Sequence, residues 1–446
     1  MNNQATVKEP FVRIKRRGTT SFLYRTTVRI VAIFFAMLVA TWFLEMVADM
    51  SFAQIWKYLI EGATVDDTTR LEYWKEVMLL LLVALALTPA FKMKFWNIGG
   101  QGQILIGALA TSIVMFYGKG LSNSGMILLS FIFSIVAGGI WAAIPAIFKV
   151  KLNANETLFT LMMNYIAIQL VAASIDTWKG QNSALPQFNT DTKLGYLPSI
   201  GSNTYGIIVL CVLLITVILY LYMKHTKQGY EISVVGESLK TARYAGMNTT
   251  WIIIRTVFLS GALCGLCGFF YVAGSDYVIS TATSGSYGFT AIIVSWAASF
   301  NPFGMLILSI IMTFMSKGTL SVYNHASNIL NQYAAYITVG ILLFFLIGCE
   351  FFIQYRMIFN SKVQAKLDEC SEKIHKAMPW WFSFWKKVSD GLDKCISTVQ
   401  KKMSEFLAKL KASLVKLFNK NAKAEAPQEE EVEAVVKDEK EVGIHD

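Results

Sequence analysis

The stretch G-I-I-V-L-C-V-L-L-I-T-V-I-L-Y-L-Y-M, residues 206–223, carries no charge, and charge returns only with Lys224. As a helix rising 1.5 Å per residue it covers about 27 Å, close to the roughly 30 Å of hydrocarbon in a bilayer. Such a block is a candidate membrane span, and residues 333–348 form another of the same character. The 446-residue chain is 54% hydrophobic and 16% charged, with a mean hydropathy of +0.47, where soluble domains carry about 25% charge. Water is therefore not the main solvent of this protein.

Ten spans are expected, near 28–46, 77–91, 104–117, 126–148, 157–175, 206–223, 252–273, 288–300, 304–315 and 333–352, the eighth and ninth being short. Arg13, Lys15, Arg16, Arg17 and Arg25 precede the first span, whereas the next loop holds Glu61, Asp66, Asp67 and Glu72. By the positive-inside bias the amino end is cytoplasmic. Alternation then puts Lys92 with Lys94, Lys149 with Lys151, the 224–243 loop and the tail from Arg356 inside, and Asp276 outside. The expected fold is an all-α polytopic membrane protein with both termini cytoplasmic. The basic amino end followed by an apolar stretch without a small-residue cleavage site reads as a signal anchor.

Four regions are expected: a basic cytoplasmic segment 1–27, a transmembrane domain 28–355, a basic amphipathic helix in 356–420 and an acidic, disordered tail 421–446. In the third, Val388, Leu392, Cys395, Val399, Met403, Phe406, Leu410, Leu414 and Leu417 recur at steps of three and four. Lysines fill the polar positions and Trp380, Trp381 and Trp385 precede the stripe, which reads as a helix lying on anionic membrane lipid. The net charge of +10 does not imply nucleic acid, because the basic residues sit in short clusters between apolar blocks and in the tail. The six cysteines are scattered, and Cys264-x-x-Cys267 lies in an expected span, so it reads as packing and not as a redox motif.

Polar groups within a bilayer are costly, so four segments draw attention. In W-N-I-G-G-Q-G-Q, residues 96–103, three glycines permit close backbone approach and the amides of Asn97, Gln101 and Gln103 offer donors and acceptors at the edge of a span. In N-E-T-L-F-T-L-M-M-N-Y, residues 155–165, Asn155 can cap a helix. Glu156 sits where the helix dipole favours an anion and reads as either structural or part of a pathway. Thr160 and Asn164 are four apart and share a face roughly 6 to 12 Å into that helix, pointing at a pathway or another helix. In residues 236–246, Ser238 can cap and Gly246 can end a two-turn cytoplasmic helix carrying Glu237, Lys240, Arg243 and Tyr244. The small residues Gly261, Gly265 and Gly268 mark a close helix contact, within one subunit or between two.

The chain contains no G-x-x-x-x-G-K-[ST] and no H-E-x-x-H, and its four histidines fall outside the confident spans. No enzyme activity, metal site or cofactor of its own is expected.

These segments resemble the permeases of bacterial ABC importers of the ribose and branched-chain amino acid class, and most of all the nucleoside-uptake subgroup. The marks are residues 97–103, 155–167, 236–246, 288–292 and Asn301-Pro302, and the resemblance runs from about residue 77 to 355. Gln101 stands where that class has an acidic residue, Ser238-Leu239 where it has Asn-Pro, and the tail after Ser361 has no counterpart. The resemblance implies a type II-like ABC importer permease fold in the bacterial inner membrane. It further implies a cytoplasmic ABC ATPase subunit that binds ATP, a second and shorter permease paralogue or a second copy, and a substrate-binding lipoprotein. Residues 236–246 would then be the coupling helix.

The principal rival is an ion-coupled secondary transporter, which needs intramembrane carboxylates as ion sites. Only Glu156 and Glu350 are expected near span boundaries, which disfavours it. A simple-sugar permease of the same class stays open, since the cargo follows from the resemblance alone.

Overall fold

The computed structural model describes residues 12–18, 22–118, 120–180, 185–201, 203–326 and 333–359. The expected amphipathic helix and acidic tail lie outside them. The chain forms two units, Met1–Arg16 with Arg356–Asp446, and Arg17–Tyr355. In the first, strand β1 (Val12–Arg16) pairs with β2 (Tyr355–Phe359).

The second unit is helical. Nine of its described helices are long and apolar enough to cross a membrane. They are α1 (Phe22–Ala48), α3 (Asp67–Lys92), α4 (Gly100–Tyr117), α5 (Asn123–Leu152), α6 (Glu156–Trp178), α7 (Gly206–His225), α10 (Thr249–Tyr271), α12 (Pro302–His325) and α13 (Ala334–Gln354). The short helices α2 (Phe52–Thr64), α8 (Lys227–Glu237), α9 (Leu239–Tyr244) and α11 (Tyr287–Ala297) stand between them. With α11 they occupy the ten expected segments.

Two expected boundaries change. The ninth span is a full 24-residue helix, α12, started by Asn301, whose side chain accepts from Phe303 N, and by Pro302 with its preset φ. The second begins at Asp67 instead of residue 77, since Asp66 caps it by accepting from Thr69 N. The extra turns bring Lys75 and Glu76 into the helix, where they are shielded by neighbouring helices instead of lying in a loop. Helix α2 was not expected: its Ile55, Leu59 and Ala63 are buried while Lys57 and Glu61 share an outer face as an i,i+4 pair.

Helix α3 is the mast of the bundle. Its apolar stretch is 89% buried, against 17% for α7, although α7 is the more apolar by sequence. From residue 77 to 91 α3 is as apolar all round as α7, and only tertiary placement separates a buried helix from one facing lipid. Around the mast, α10 lies against α4 and α5 through glycines. A Cβ on Gly265 would overlap the carbonyl oxygen of Ser134, one on Gly107 that of Gly265, and one on Gly268 that of Ile104. The close contact marked by Gly261, Gly265 and Gly268 is therefore made within the subunit. Cys264 and Cys267 are fully buried in it, as packing residues.

Candidate translocation site

At the start of α4 the first backbone N–H groups have no partner within the helix. Side chains from other elements supply them. Asn164 accepts from Gly102 N at 2.8 Å and donates to Ile98 O at 3.0 Å, Thr160 Oγ1 accepts from Ile98 N at 3.2 Å, and Asn97 Oδ1 accepts from Gly99 N at 3.1 Å. Asn97 and Gln103 exchange amide hydrogen bonds at 2.9 and 3.2 Å, and Asn97 also donates to Ser260 Oγ of α10. Asn97, Gln103, Thr160 and Asn164 are at most 2% exposed. This is a closed polar network in which the described amides have protein partners. Glu156, at the first position of α6, pairs with Lys149 of α5 at 2.7 Å.

Gln101 points elsewhere. Its side chain donates to Ser284 Oγ and accepts from Gly288 N at 3.2 Å, which ties the start of α4 to the segment between α10 and α11. That segment is irregular backbone between two helices. Helix α10 runs into a π-turn at Val272–Asp276, Tyr277 takes a left-handed φ of 58°, and the chain stays irregular until α11 at Tyr287. Residues 280–286 read S-T-A-T-S-G-S. Their hydroxyls satisfy their own backbone: Thr283 Oγ1 accepts from Ser280 N at 2.8 Å and Ser280 Oγ from Ala282 N at 3.2 Å. Non-helical backbone at membrane depth is tolerated where it is buried in protein or lines a cavity. Its first residue, Tyr277, stacks on Tyr196 with ring centroids 3.9 Å apart.

Where α11 begins, a water-sized cavity of about 30 Å³ lies between α3, α11, α12 and α13. Ser286, Thr290, Thr313 and Ser316 bring hydroxyls to it, Tyr287 and Tyr336 bring rings, and Leu80, Met312 and Val339 complete the wall. Beside it lies a charged cluster: Glu76 is 3.3 Å from Lys75 and 3.7 Å from Lys317, and Lys317 is 3.8 Å from Glu72. Lys75, 5% exposed, donates to Ser275 Oγ at 2.6 Å, and Ser275 in turn bonds Asp276. These charges correct the expectation that Glu156 and Glu350 are the carboxylates to consider. The sequence signals were present, a Lys-Glu pair abutting an apolar block and a run of hydroxyl residues between two spans, but the partners that bury them come from distant segments.

At the end of the bundle marked by Lys92 and Lys149, α8 and α9 form the segment read as a knob. Ser238 caps α9 by accepting from Thr241 N, and Gly246 ends the turn with φ 74°. Glu237, Lys240, Arg243 and Tyr244 are all exposed, Tyr244 by 92%, while Ala242 anchors the helix against α8 and α10 from its buried side. Leu239 is also 45% exposed.

Comparison with known proteins places this arrangement. Residues 71–347 match the family described as branched-chain amino acid transport system / permease component. The chain is similar to the glucose ABC transporter permease protein TsgB13 of Haloferax volcanii, 28% identical over 62% of this chain and 76% of that protein. It is also similar to the nucleoside ABC transporter permease protein NupB of Lactococcus lactis, 26% identical over 67% and 84%. The guanosine ABC transporter permease protein NupP of Bacillus subtilis is 27% identical over 55% and 72%. With the match spanning more than half of its length, this chain belongs to the family of branched-chain amino acid transport system permease components, and is the membrane permease subunit of an ABC transporter.

Proposed function

We propose that the subunit imports a nucleoside across a bacterial inner membrane. The observation that carries this reading is the broken, hydroxyl-rich crossing at 277–286, held against Gln101: a pathway for a solute that hydrogen-bonds without carrying charge. Discontinuous membrane helices are a recurrent way of building such sites. The nucleoside and guanosine permeases among the relatives support the cargo. The glucose permease keeps a simple sugar as the second reading. Family membership displaces an ion-coupled transporter, even with Glu76 and Lys75 inside the bundle.

Permeases of this family act with an ATPase and a substrate-binding partner. In this reading the cytoplasmic ATPase docks on Glu237, Lys240, Arg243 and Tyr244, and supplies the ATP site that the chain lacks as a sequence motif. The basic end of the bundle then faces the cytoplasm, along with both termini, and membrane lipid surrounds α7 and the other outer helices. The binding partner is a lipoprotein, and the second permease is a shorter paralogue or a second copy. Asn97, Gln103, Thr160 and Asn164 back the pathway as a rigid polar layer, and Gln101 is its contact with the broken crossing.

The test is uptake of tritiated guanosine and of labelled glucose in a strain lacking the gene, with and without the gene restored. Restored guanosine uptake that also requires an intact ATPase supports the reading. Restored glucose uptake alone replaces it with the second reading.

A further inference from the structure

We propose that Lys75 and Glu76 of α3 are positioning residues for transport: side by side on the mast, they clasp the two ends of the irregular segment 277–286 and fix its hydroxyls in the solute path. The proposal rests on the nucleoside reading for the solute and the path, and adds what holds that path in shape.

The first observation is where these charges stand. Residues 77–91 of α3 carry no charge, and Lys75 and Glu76 sit directly ahead of them with side chains only 7% and 13% exposed. Ionised groups are costly to bury unless they are paired and hydrogen-bonded. The two lie 3.3 Å apart and could satisfy each other, yet each also has a partner at one end of the irregular segment.

The second is the near end. Lys75 Nζ donates to Ser275 Oγ at 2.6 Å, and Ser275 Oγ donates to Asp276 Oδ1 at 2.6 Å. Those residues close the π-turn that ends α10, and Tyr277 follows with its left-handed φ. The last carbonyls of a helix lack partners inside it and form the negative end of its dipole, where an ammonium is favoured. Lys75 thus marks the point at which α10 stops.

The third is the far end. Tyr287, the first residue of α11, donates its hydroxyl to the Glu76 carboxylate, which also meets Lys317 of α12 at 3.7 Å. The segment leaves and returns at neighbouring residues of one helix, as a compact loop closed at its neck. Gln101 bonds Ser284 within the loop and Gly288 just beyond it. Side chains that meet a solute are placed only as well as the groups that support them. Releasing the neck frees the hydroxyl-bearing residues while the network around Asn97 keeps its partners.

The experiment uses the complete importer. For labelling, the native cysteines are replaced and one cysteine is placed at 284, a fully buried position, and its reaction with a small methanethiosulfonate is timed. Uptake of tritiated guanosine is measured in proteoliposomes with Ser284 in place. Ser275→Ala and Tyr287→Phe each remove one hydroxyl and no charge, one at either end of the segment. Each raises the labelling rate at 284 and lowers maximal guanosine uptake, both by about tenfold, the effect of one lost hydrogen bond to a charged group. Lys75→Met gives the same result, and Ser275→Ala adds nothing further to it, because both cut one link. Thr216→Val on α7, whose hydroxyl bonds its own helix, changes neither. Size-exclusion profiles establish which variants assemble, and if Lys75→Met does not, the two hydroxyl variants carry the test alone. If both of these leave labelling or uptake as in the wild type, the clasp is overturned while the nucleoside reading survives. If wild-type importer carries no guanosine, the nucleoside reading falls, and labelling at 284, which needs no solute, still decides the clasp.

Discussion

Two polar regions lie inside the same bundle and differ in how completely they are satisfied. Around the start of α4, the amides of Asn97, Gln103 and Asn164 and the hydroxyl of Thr160 are matched to protein groups. Along α12, Thr313 and Ser309 are as deeply buried but unmatched, next to irregular backbone and a cluster of charges. A matched network holds helices in register, and its members cannot leave without stranding a partner. An unmatched hydroxyl adds no hydrogen bond to the fold. The difference separates a network that must stay still from hydroxyls whose removal strands no partner.

Substitutions can break this comparison. The largest effect is expected where neither region is polar: Gly265→Leu places a side chain into the backbone of α5 and costs about 3 kcal/mol or more of overpacking. Fluorescence-detected size exclusion should find little folded protein, and a yield within twofold of wild type would refute the close contact. Next, Asn97→Ala strands Gln103, Ser260 and the Gly99 N–H, at about 2 to 3 kcal/mol. A thermal-shift measurement in detergent should register a fall of several degrees. The smallest change in stability belongs to Thr313→Val, because a hydroxyl without a partner contributes nothing by its hydrogen bond to folding. Its melting temperature should match or slightly exceed the wild type. If Thr313→Val destabilised as much as Asn97→Ala, the contrast between the two regions would collapse.

What could be read from sequence follows how local each signal is. Span α7 needs only its own apolar residues, and the caps at Asn155 and Ser238 act within four residues, so each was legible. Helix α2 was not, because 13 residues carrying Lys57 and Glu61 fall short of a span and its buried face depends on α12. The first turns of α3 were lost for a related reason: Lys75 and Glu76 look like loop residues until Lys317 and Ser275, more than 190 positions away, close around them. The polar motif at 96–103 was visible as a place of interest. Its saturation was not, since the partners Thr160, Asn164 and Ser260 lie 62 to 163 positions further on.

Cysteine protection in the reconstituted importer tests the central claim most directly. With the native cysteines replaced, a single cysteine is placed at 101 or at 97, and its reaction with a small methanethiosulfonate is timed with and without guanosine. The account predicts that position 101 reacts and that guanosine slows the reaction severalfold, whereas position 97 stays unreactive in both conditions. Protection by guanosine at 97, with none at 101, would contradict it.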